Sequence, residues 1–527
     1  MRTFRVPIRW RLLAALFAIS ILPLLVRLAG TNKRKSSASA PPQTSPTPVL
    51  FVDPTAAEAI AYAHSRLDAL LAQQSTTLSE AVARYTLKAG RNPPPNFAQW
   101  FDFARENDCL IDEYDQIQKD FEPFYQLALH KPTQFQSMIN QRHDELIKET
   151  LELLSPKRQS ALGMTAIGIK DGKMQLPPYR GTWYHSDLAV RLRRFQHFLP
   201  DLEFLLNGRD EPRVVFDVRE LDAHERALEP PKDSRPFHNV PNRTDIFFRN
   251  HSGCDLLSSG NGFATDISAD VPCKNVSLLF TPMIHNFLVL LSSSSTYFTT
   301  DLWPLLSMAK ISPCFSDILF PSLYYYTGRW SPRLKPNDIL WSDKKTQIYW
   351  RGASNGGHII GENYRSFPRF RLIELAREFP DLINAEMTSF PGDHCTNDQC
   401  DRERIIKIYN ISGPIAPKDD VLQFKYLLDV DGNTFSGRFL NLLKSGSLVF
   451  KATAFVEYFD DWLRPYEHYI PLKPDLSDLV DKVRWAIANE AEARRILETG
   501  KLFAERVITD KQNDCYFSAV LLEWGRV

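Results

Sequence analysis

Apolar positions along the chain change period several times, and each change predicts a different element. Arg2, Arg5, Arg9 and Arg11 precede an apolar run from Leu12 to Val26, which is 15 residues long. A helix crossing a hydrocarbon core needs about 17–20 such residues. Leu28–Gly30 extends the run past Arg27, whose long side chain can snorkel to the interface. Residues 1–30 are therefore expected to form a short transmembrane signal-anchor. A cleaved secretory signal is the alternative: Ala38-Ser39-Ala40 offers small residues, but Pro41 follows the cut. Residues 31–53 are Ser/Thr/Pro-rich without periodicity and predict a disordered stem.

From residue 54 the period becomes helical. Ala57, Ile60, Ala61, His64, Leu67, Leu70 and Leu71 share one face, predicting a helical hairpin over 54–88 that Pro93-Pro94-Pro95 stops. Residues 97–130 again look helical, with Phe97, Trp100, Phe101 and Phe103 as a core face. Together they make a helical extension over 54–150. Beyond it, short apolar runs alternate with helical stretches. Strands are expected at 202–207, 213–217, 244–248, 346–350, 447–451 and 468–472, and helices at 187–198, 366–378, 435–444, 476–489 and 490–506. Such alternation predicts an α/β fold with parallel sheets. It divides into two regions, 151–335 and 336–490, with helices at 491–527 packing back on the first. The Pro-rich stretch 331–338 is the candidate hinge.

Composition narrows the function classes. Lys+Arg and Asp+Glu both number 63, so the formal charge is zero. No broad positive field exists to coat nucleic acid. Hydrophobic content of 43% and charged content of 24% exclude global disorder. Seven cysteines fit an oxidising compartment, where Cys254/Cys273 and Cys395/Cys400 are the first pairs to test. A metal site at His394, Cys395, Asp398, Cys400 and Asp401 is the weaker reading. Four glycosylation sequons, at Asn242, Asn250, Asn275 and Asn410, are compatible with a lumen.

Four segments carry candidate chemistry. In the first, an expected strand ends in Arg351-Gly352-Ala353-Ser354-Asn355-Gly356-Gly357. Small residues after a parallel strand let backbone N–H groups approach an anion, and Arg351 adds a fork suited to phosphate. An ordinary βα turn explains the same letters. In the second, Asp431-Gly432-Asn433 makes a turn and a helix is expected from Phe435. Ser436 lies beside that start, and Arg438 falls in the first turn, where a cation opposes the helix dipole unless it meets an anion. Asp429-x-Asp431 also spells a DxD metal signature, but Asp-Gly is first a turn former. In the third, Glu457 precedes an aromatic-rich stretch, where it is placed to grip sugar hydroxyls or is simply an exposed helix carboxylate. In the fourth, an apolar strand ends in Asn207-Gly208-Arg209-Asp210. Ligands of open α/β sheets bind beyond strand carboxyl ends, so Asp210 is positioned for a general base; a plain turn aspartate is the alternative.

Read in order, LPDLEFLLNGRDEP, YWRGASNGG, KYLLDVDGNTFSGRFLNLLKSGSLVFK and EYFDDWLRPYEHYIPLKPDLSDL resemble the capsule-associated/Rumi-type glycosyltransferases, glycosyltransferase family 90. The resemblance covers roughly 85–525, and GRNPPPNFAQWFDFARENDCLIDEYDQI looks like the fungal branch. It implies a GT-B-like fold, with two Rossmann-like domains facing a cleft. It implies inverting transfer of glucose or xylose from a UDP-sugar to a hydroxyl of a glycan or glycoprotein. No cofactor is implied beyond the UDP-sugar donor, and manganese is not expected to be essential. By motif position Arg351 and Arg438 hold the diphosphate, with Gly352, Ser354, Ser436 and Glu457 contributing to the donor site, and Asp210 is the catalytic base. The family's usual Arg-Gly-Ser is here Arg351-Gly352-Ala353, leaving Ser354 to supply the hydroxyl. The chain ends Glu-Trp-Gly-Arg-Val rather than in a retention tail, so the anchor is expected to hold it in the Golgi or endoplasmic reticulum membrane, single-pass, with its catalytic part luminal. Three rivals remain: a metal-dependent DxD transferase, a non-catalytic luminal carbohydrate-binding protein, and a glycosidase.

Overall fold

Helical periodicity after residue 54 resolves into two helices, Pro54–Ala72 and Leu78–Ala89. Thr77 starts the second by accepting Glu80 N–H, while Glu80 reaches back to the cap. Gly90, at φ 64°, ends it in the left-handed conformation that glycine adopts without steric cost. The computed structural model describes residues 54–153, 163–175, 185–216, 223–230, 301–312, 315–327, 339–356, 361–391, 400–411 and 417–527, with a few positions between. The expected anchor at 1–30, the stem, the Cys254/Cys273 pair, three of the four sequons, the strand at 244–248 and the hinge at 331–338 lie outside them. Among the described residues no helix is long and apolar enough to cross a membrane.

Residues 97–130 are not one helix but two, Phe97–Glu106 and Asp115–His130, broken where Asp108 takes φ 54°. Trp100, Phe101, Phe121 and Phe124 are buried, as their spacing requires. Residues Pro132–Leu153 add a further helix.

The strands, in chain order, are β1 (Met164–Lys170), β2 (Lys173–Gln175), β3 (Leu202–Asn207), β4 (His238–Asn239), β5 (Tyr297–Phe298), β6 (Leu306–Ser307), β7 (Ile318–Leu319), β8 (Lys345–Ala353), β9 (Ile383–Ser389), β10 (Phe424–Val430), β11 (Leu448–Ala452) and β12 (Ile470–Leu472). Two five-stranded sheets result, ordered β2-β1-β3-β6-β7 and β12-β11-β10-β8-β9. Every pairing in the second sheet is parallel. The first is mixed, because β1 runs antiparallel to both β2 and β3. The expectation of parallel sheets therefore fails at that edge: Asp171-Gly172, both at positive φ, close a tight hairpin that forces antiparallel pairing. The expected strand at 213–217 shrinks to single bridges, Val214 to Thr299 and Val215 to Phe315. The helix at 187–198 becomes His185–Leu192 plus a 3₁₀ turn, Gln196–Phe198.

The closing helix Asp510–Arg526 runs back along β3, with Phe517 6.2 Å from Phe204 and Trp524 Nε1 donating to Glu203 O at 2.7 Å. Trp100 Nε1 donates to Cys515 O at 3.0 Å, and a Cys109–Cys515 disulfide joins the same helix to the amino-terminal helices. Cys395 and Cys400 also pair.

Candidate active site

Loops beyond the carboxyl ends of β3 and β7 in the first sheet and of β8 and β10 in the second meet around a cavity of about 170 Å³. Asp210 and Tyr324 come from the first-sheet side. Asn355, Arg369 and the segment Gly432–Arg438 come from the second.

Asn207 explains where Asp210 sits. It ends β3 fully buried, and its amide donates to Glu211 O at 2.6 Å and to Ser307 Oγ at 3.0 Å. Its Oδ1 accepts Arg209 N–H at 3.0 Å, closing the turn that an asparagine side chain makes with backbone two residues on. The turn carries Asp210 to the cavity wall. Burial, then repulsion from Glu211, push its carboxyl from 3.8 to about 7, against the pull of Arg209. A general base works best with a pKa near the operating pH.

Opposite lies Arg438. It precedes the short helix Phe439–Leu443, which starts four residues later than the expected helix at Phe435. Its Nη1 donates to Arg351 O at 2.8 Å, while its buried Nη2 has no protein partner. Burial lowers its pKa, offset by the carboxylate of Asp429. A second guanidinium, Arg369, stands beside it at the start of the helix Pro368–Glu378. Arg369 donates to the carbonyls of Asp431 at 2.8 Å and Ala353 at 2.9 Å, so it caps the ends of β10 and β8. Burial and then repulsion from Arg438 bring its pKa down to about 9. Both cations lie over one indole, Trp350, at 5.4 Å for Arg369 and 5.8 Å for Arg438. Two buried like charges repel, and such a site favours an anion.

The donor-site residues expected from the sequence divide. Ser436 and Arg438 line the cavity with Asp210. Arg351 does not. Its guanidinium donates to Asn384 Oδ1 at 2.6 Å, lies 3.2 Å from Glu386 and covers the ring of Tyr349 at 4.6 Å. The reason is register: β8 runs on through Ala353, pairing Arg351 with Glu386 and Gly352 with Met387, so these residues are strand and not turn. Gly352 serves packing instead, because a Cβ there would lie 2.6 Å from the Trp350 ring. Ser354 is fully buried, with its N–H on Ser389 O at 3.0 Å, and does not line the cavity. Its neighbour Asn355 does, with a buried Oδ1 that lacks a protein partner. Glu457 is neither exposed nor helical nor at the cavity; it is 0% exposed and accepts the Tyr325 hydroxyl at 2.6 Å.

The DxD carboxylates are used inside the protein. Asp431 accepts Ala454 N–H at 2.7 Å, and Asp429 faces Arg438 and Ser436. Burial pushes both pKa values up, that of Asp431 to about 7. Among the described residues no cluster of three or more His, Cys, Asp or Glu could hold a metal ion.

Tyr324 and Arg369 were not anticipated. Tyr324 carries no sequence signal. Arg369 does: it is a cation in the first turn of a helix behind Pro368, the same anomaly that marked Arg438.

Residues 292–527 match the family model described as Glycosyl transferase family 90. Protein O-glucosyltransferase 3 of Rattus norvegicus is 30% identical over 36% of this chain and 35% of its own length. The Homo sapiens protein of the same name is 29% identical over the same shares. Protein O-glucosyltransferase 1 of Rattus norvegicus is 29% identical over 42% of this chain and 57% of its own. The chain thus spans about a third to a little over half the length of these curated relatives.

Proposed function

We propose, from the premise that residues 292–527 are a glycosyl transferase family 90 domain, that this chain moves a sugar from a UDP-sugar to a hydroxyl of a glycoprotein or glycan. Glucose is the favoured sugar, since the relatives are protein O-glucosyltransferases, and xylose differs from it by one hydroxymethyl group. The two sheets act as GT-B-like halves, because each contributes a strand-end loop to the cavity. One observation carries the reading: a buried arginine, Arg369, and a half-buried one, Arg438, whose buried Nη2 has no protein partner, share an indole across a cavity from an aspartate whose pKa is raised to about 7.

The chemistry follows from charge. Ionised Asp210 takes the proton of the acceptor hydroxyl. That oxygen attacks the anomeric carbon from the face opposite the diphosphate, and configuration inverts. The bond from carbon to the diphosphate oxygen breaks, and its electron pair leaves with UDP. Arg438 and Arg369 stabilise the departing charge. Each such preorganised donor is worth about 10²–10³ in rate. Arg369 takes the diphosphate role that motif position gave to Arg351. The two disulfides suit an oxidising lumen, so a secretory-pathway location and a membrane tether through residues 1–30 belong to the same proposal.

Calorimetry with UDP tests this. Arg438→Ala is expected to weaken UDP binding about 10–100-fold, the worth of a charge-assisted hydrogen bond. Arg351→Ala is expected to change it less than about threefold by the same scale, because its guanidinium is spent on Asn384 and Glu386. Unchanged affinity in Arg438→Ala, or no UDP binding by the wild type, refutes the assignment.

A further inference from the structure

Glu457 stands behind the cavity, closed off from it. Its Oε1 accepts the Tyr325 hydroxyl at 2.6 Å, and Lys451 Nζ lies 3.5 Å from its Oε2. Lys451 is also 3.5 Å from Asp460, whose Oδ2 accepts Glu457 N–H at 2.8 Å. Burying such a network costs more than an apolar filling of the same volume, so it points to a need for fixed geometry.

The geometry it fixes is that of the cavity. Tyr325 belongs to the turn Leu323–Tyr325 beyond β7, on the first-sheet side, whereas Glu457 and Ser436 belong to the second. The Tyr325 hydroxyl lies 3.3 Å from Ser436 O as well, and its ring packs 6.0 Å from Phe435 and 5.3 Å from Phe459. Tyr324, next in the chain, faces the cavity with its ring pressed on Gly437, where a Cβ would sit 2.8 Å from Tyr324 Cγ. Burial, and then the charge of Asp210, push the pKa of the Tyr324 hydroxyl up. One buried carboxylate is therefore linked through Tyr325 to the wall beside Asp210 and to the segment that carries Arg438.

We propose that Glu457 is a positioning residue that, through Tyr325, holds Tyr324 and the Ser436–Arg438 segment in register across the cavity. This rests on the glycosyl-transfer reading above. It replaces a direct grip on sugar hydroxyls, which a fully buried carboxylate cannot make.

The test uses the full chain, calorimetry with UDP, and steady-state hydrolysis of UDP-glucose. Tyr325→Phe removes one oxygen, and Glu457→Ala removes the carboxylate. Both are expected to lower kcat about 10–100-fold, the effect of a displacement near 1 Å, with the Kd for UDP within about threefold of wild type. Glu457→Gln keeps an oxygen for Tyr325 and is expected to recover about tenfold over Glu457→Ala. Were Glu457→Ala to fail to fold, Tyr325→Phe would still decide. If UDP affinity in Glu457→Gln falls in step with kcat, Glu457 touches the nucleotide sugar and the proposal is overturned. If Tyr325→Phe melts earlier but turns over like wild type, the role is structural only, and the proposal again fails while glycosyl transfer stands. A wild type that neither binds UDP nor hydrolyses UDP-glucose overturns the glycosyl-transfer reading and this role with it.

Discussion

Asp210→Asn is the perturbation that separates chemistry from architecture. The side chain keeps its shape and loses only its charge and basicity. With the carboxyl raised from 3.8 to about 7, chiefly by burial, the base is mostly protonated in mild acid. A group titrating near 7 is about 10% ionised at pH 6 and about 90% at pH 8. The wild-type kcat/KM should therefore climb about tenfold between those values and level off above pH 8. Asp210→Asn should remove about 10²–10⁴ of kcat at the plateau, the worth of a general base, while UDP affinity stays near wild type. Stability should move the other way. A carboxyl whose folded pKa lies above its unfolded value contributes stability below pH 3.8 that is lost as pH rises through about 7. That shift corresponds to about 4 kcal/mol at pH 8. Urea unfolding at pH 8 should find Asp210→Asn more stable than wild type by up to that amount, and the gain should shrink as pH falls and vanish only below about pH 4. A flat pH–rate profile from 5 to 9, or wild-type turnover by Asp210→Asn, refutes the base assignment.

Gly437→Ala places a Cβ 2.8 Å from Tyr324 Cγ. It should cost about 1–3 kcal/mol in urea unfolding and lower turnover more than any surface Gly→Ala exchange; equal turnover would show that the Tyr324 wall does not matter. Cys109→Ser with Cys515→Ser unties a link between residues 406 apart in sequence. Losing it should cost about 2–4 kcal/mol, and unchanged urea midpoints with and without reductant would contradict the pairing. EDTA should leave UDP-glucose hydrolysis unchanged, because Asp431 is taken by Ala454 N–H and Asp429 is buried and lies outside the lining of the cavity. Activity lost with EDTA and restored by manganese would return the DxD reading.

Much of the fold is legible in local pattern. β11, β12 and the helices from 366 and 490 follow from period; the two helices of 54–88 also form, but the first buries Ala56, Ala59, Ala63 and Leu67 against the helix from Glu490, while Ala57, Ile60, Ala61 and His64 of the expected face are exposed. The mixed first sheet is not legible, since β1 pairs with β3 through contacts more than 30 residues apart. Asp210, Ser436 and Arg438 come together at one cavity, and of these Arg438 carries a local anomaly in the sequence, a cation at an expected helix start. Arg351 lies away from that cavity because pairing with β9 keeps extended a segment whose letters look like a turn. Tyr324 acquires its place from packing on Gly437 and Phe435, more than 100 residues away in the chain, which no window of sequence contains.

The balance of charge under the cavity argues for what fills it. The charge of Asp429 attracts Arg438 without a direct ion pair between them, and the carbonyls of Asp431 and Ala353 satisfy much of Arg369. If these were purely structural cations, the fold would gain by pairing them completely, because an unpaired N–H in low dielectric costs about 1–3 kcal/mol. Arg438 Nη2 is left over, as is Asn355 Oδ1 on the same wall. A donor and an acceptor held unsatisfied at one cavity are complementary to a ligand with both anionic oxygens and hydroxyls. A nucleotide sugar has both, with the diphosphate for the arginine and the sugar for the amide. An anion lacking hydroxyls would satisfy the first and leave the second orphaned. Pyrophosphate should accordingly bind more weakly than UDP-glucose, and Asn355→Ala should narrow the gap between them. If both ligands bind equally to the wild type, the amide has no part in recognition and the cavity is an anion site alone.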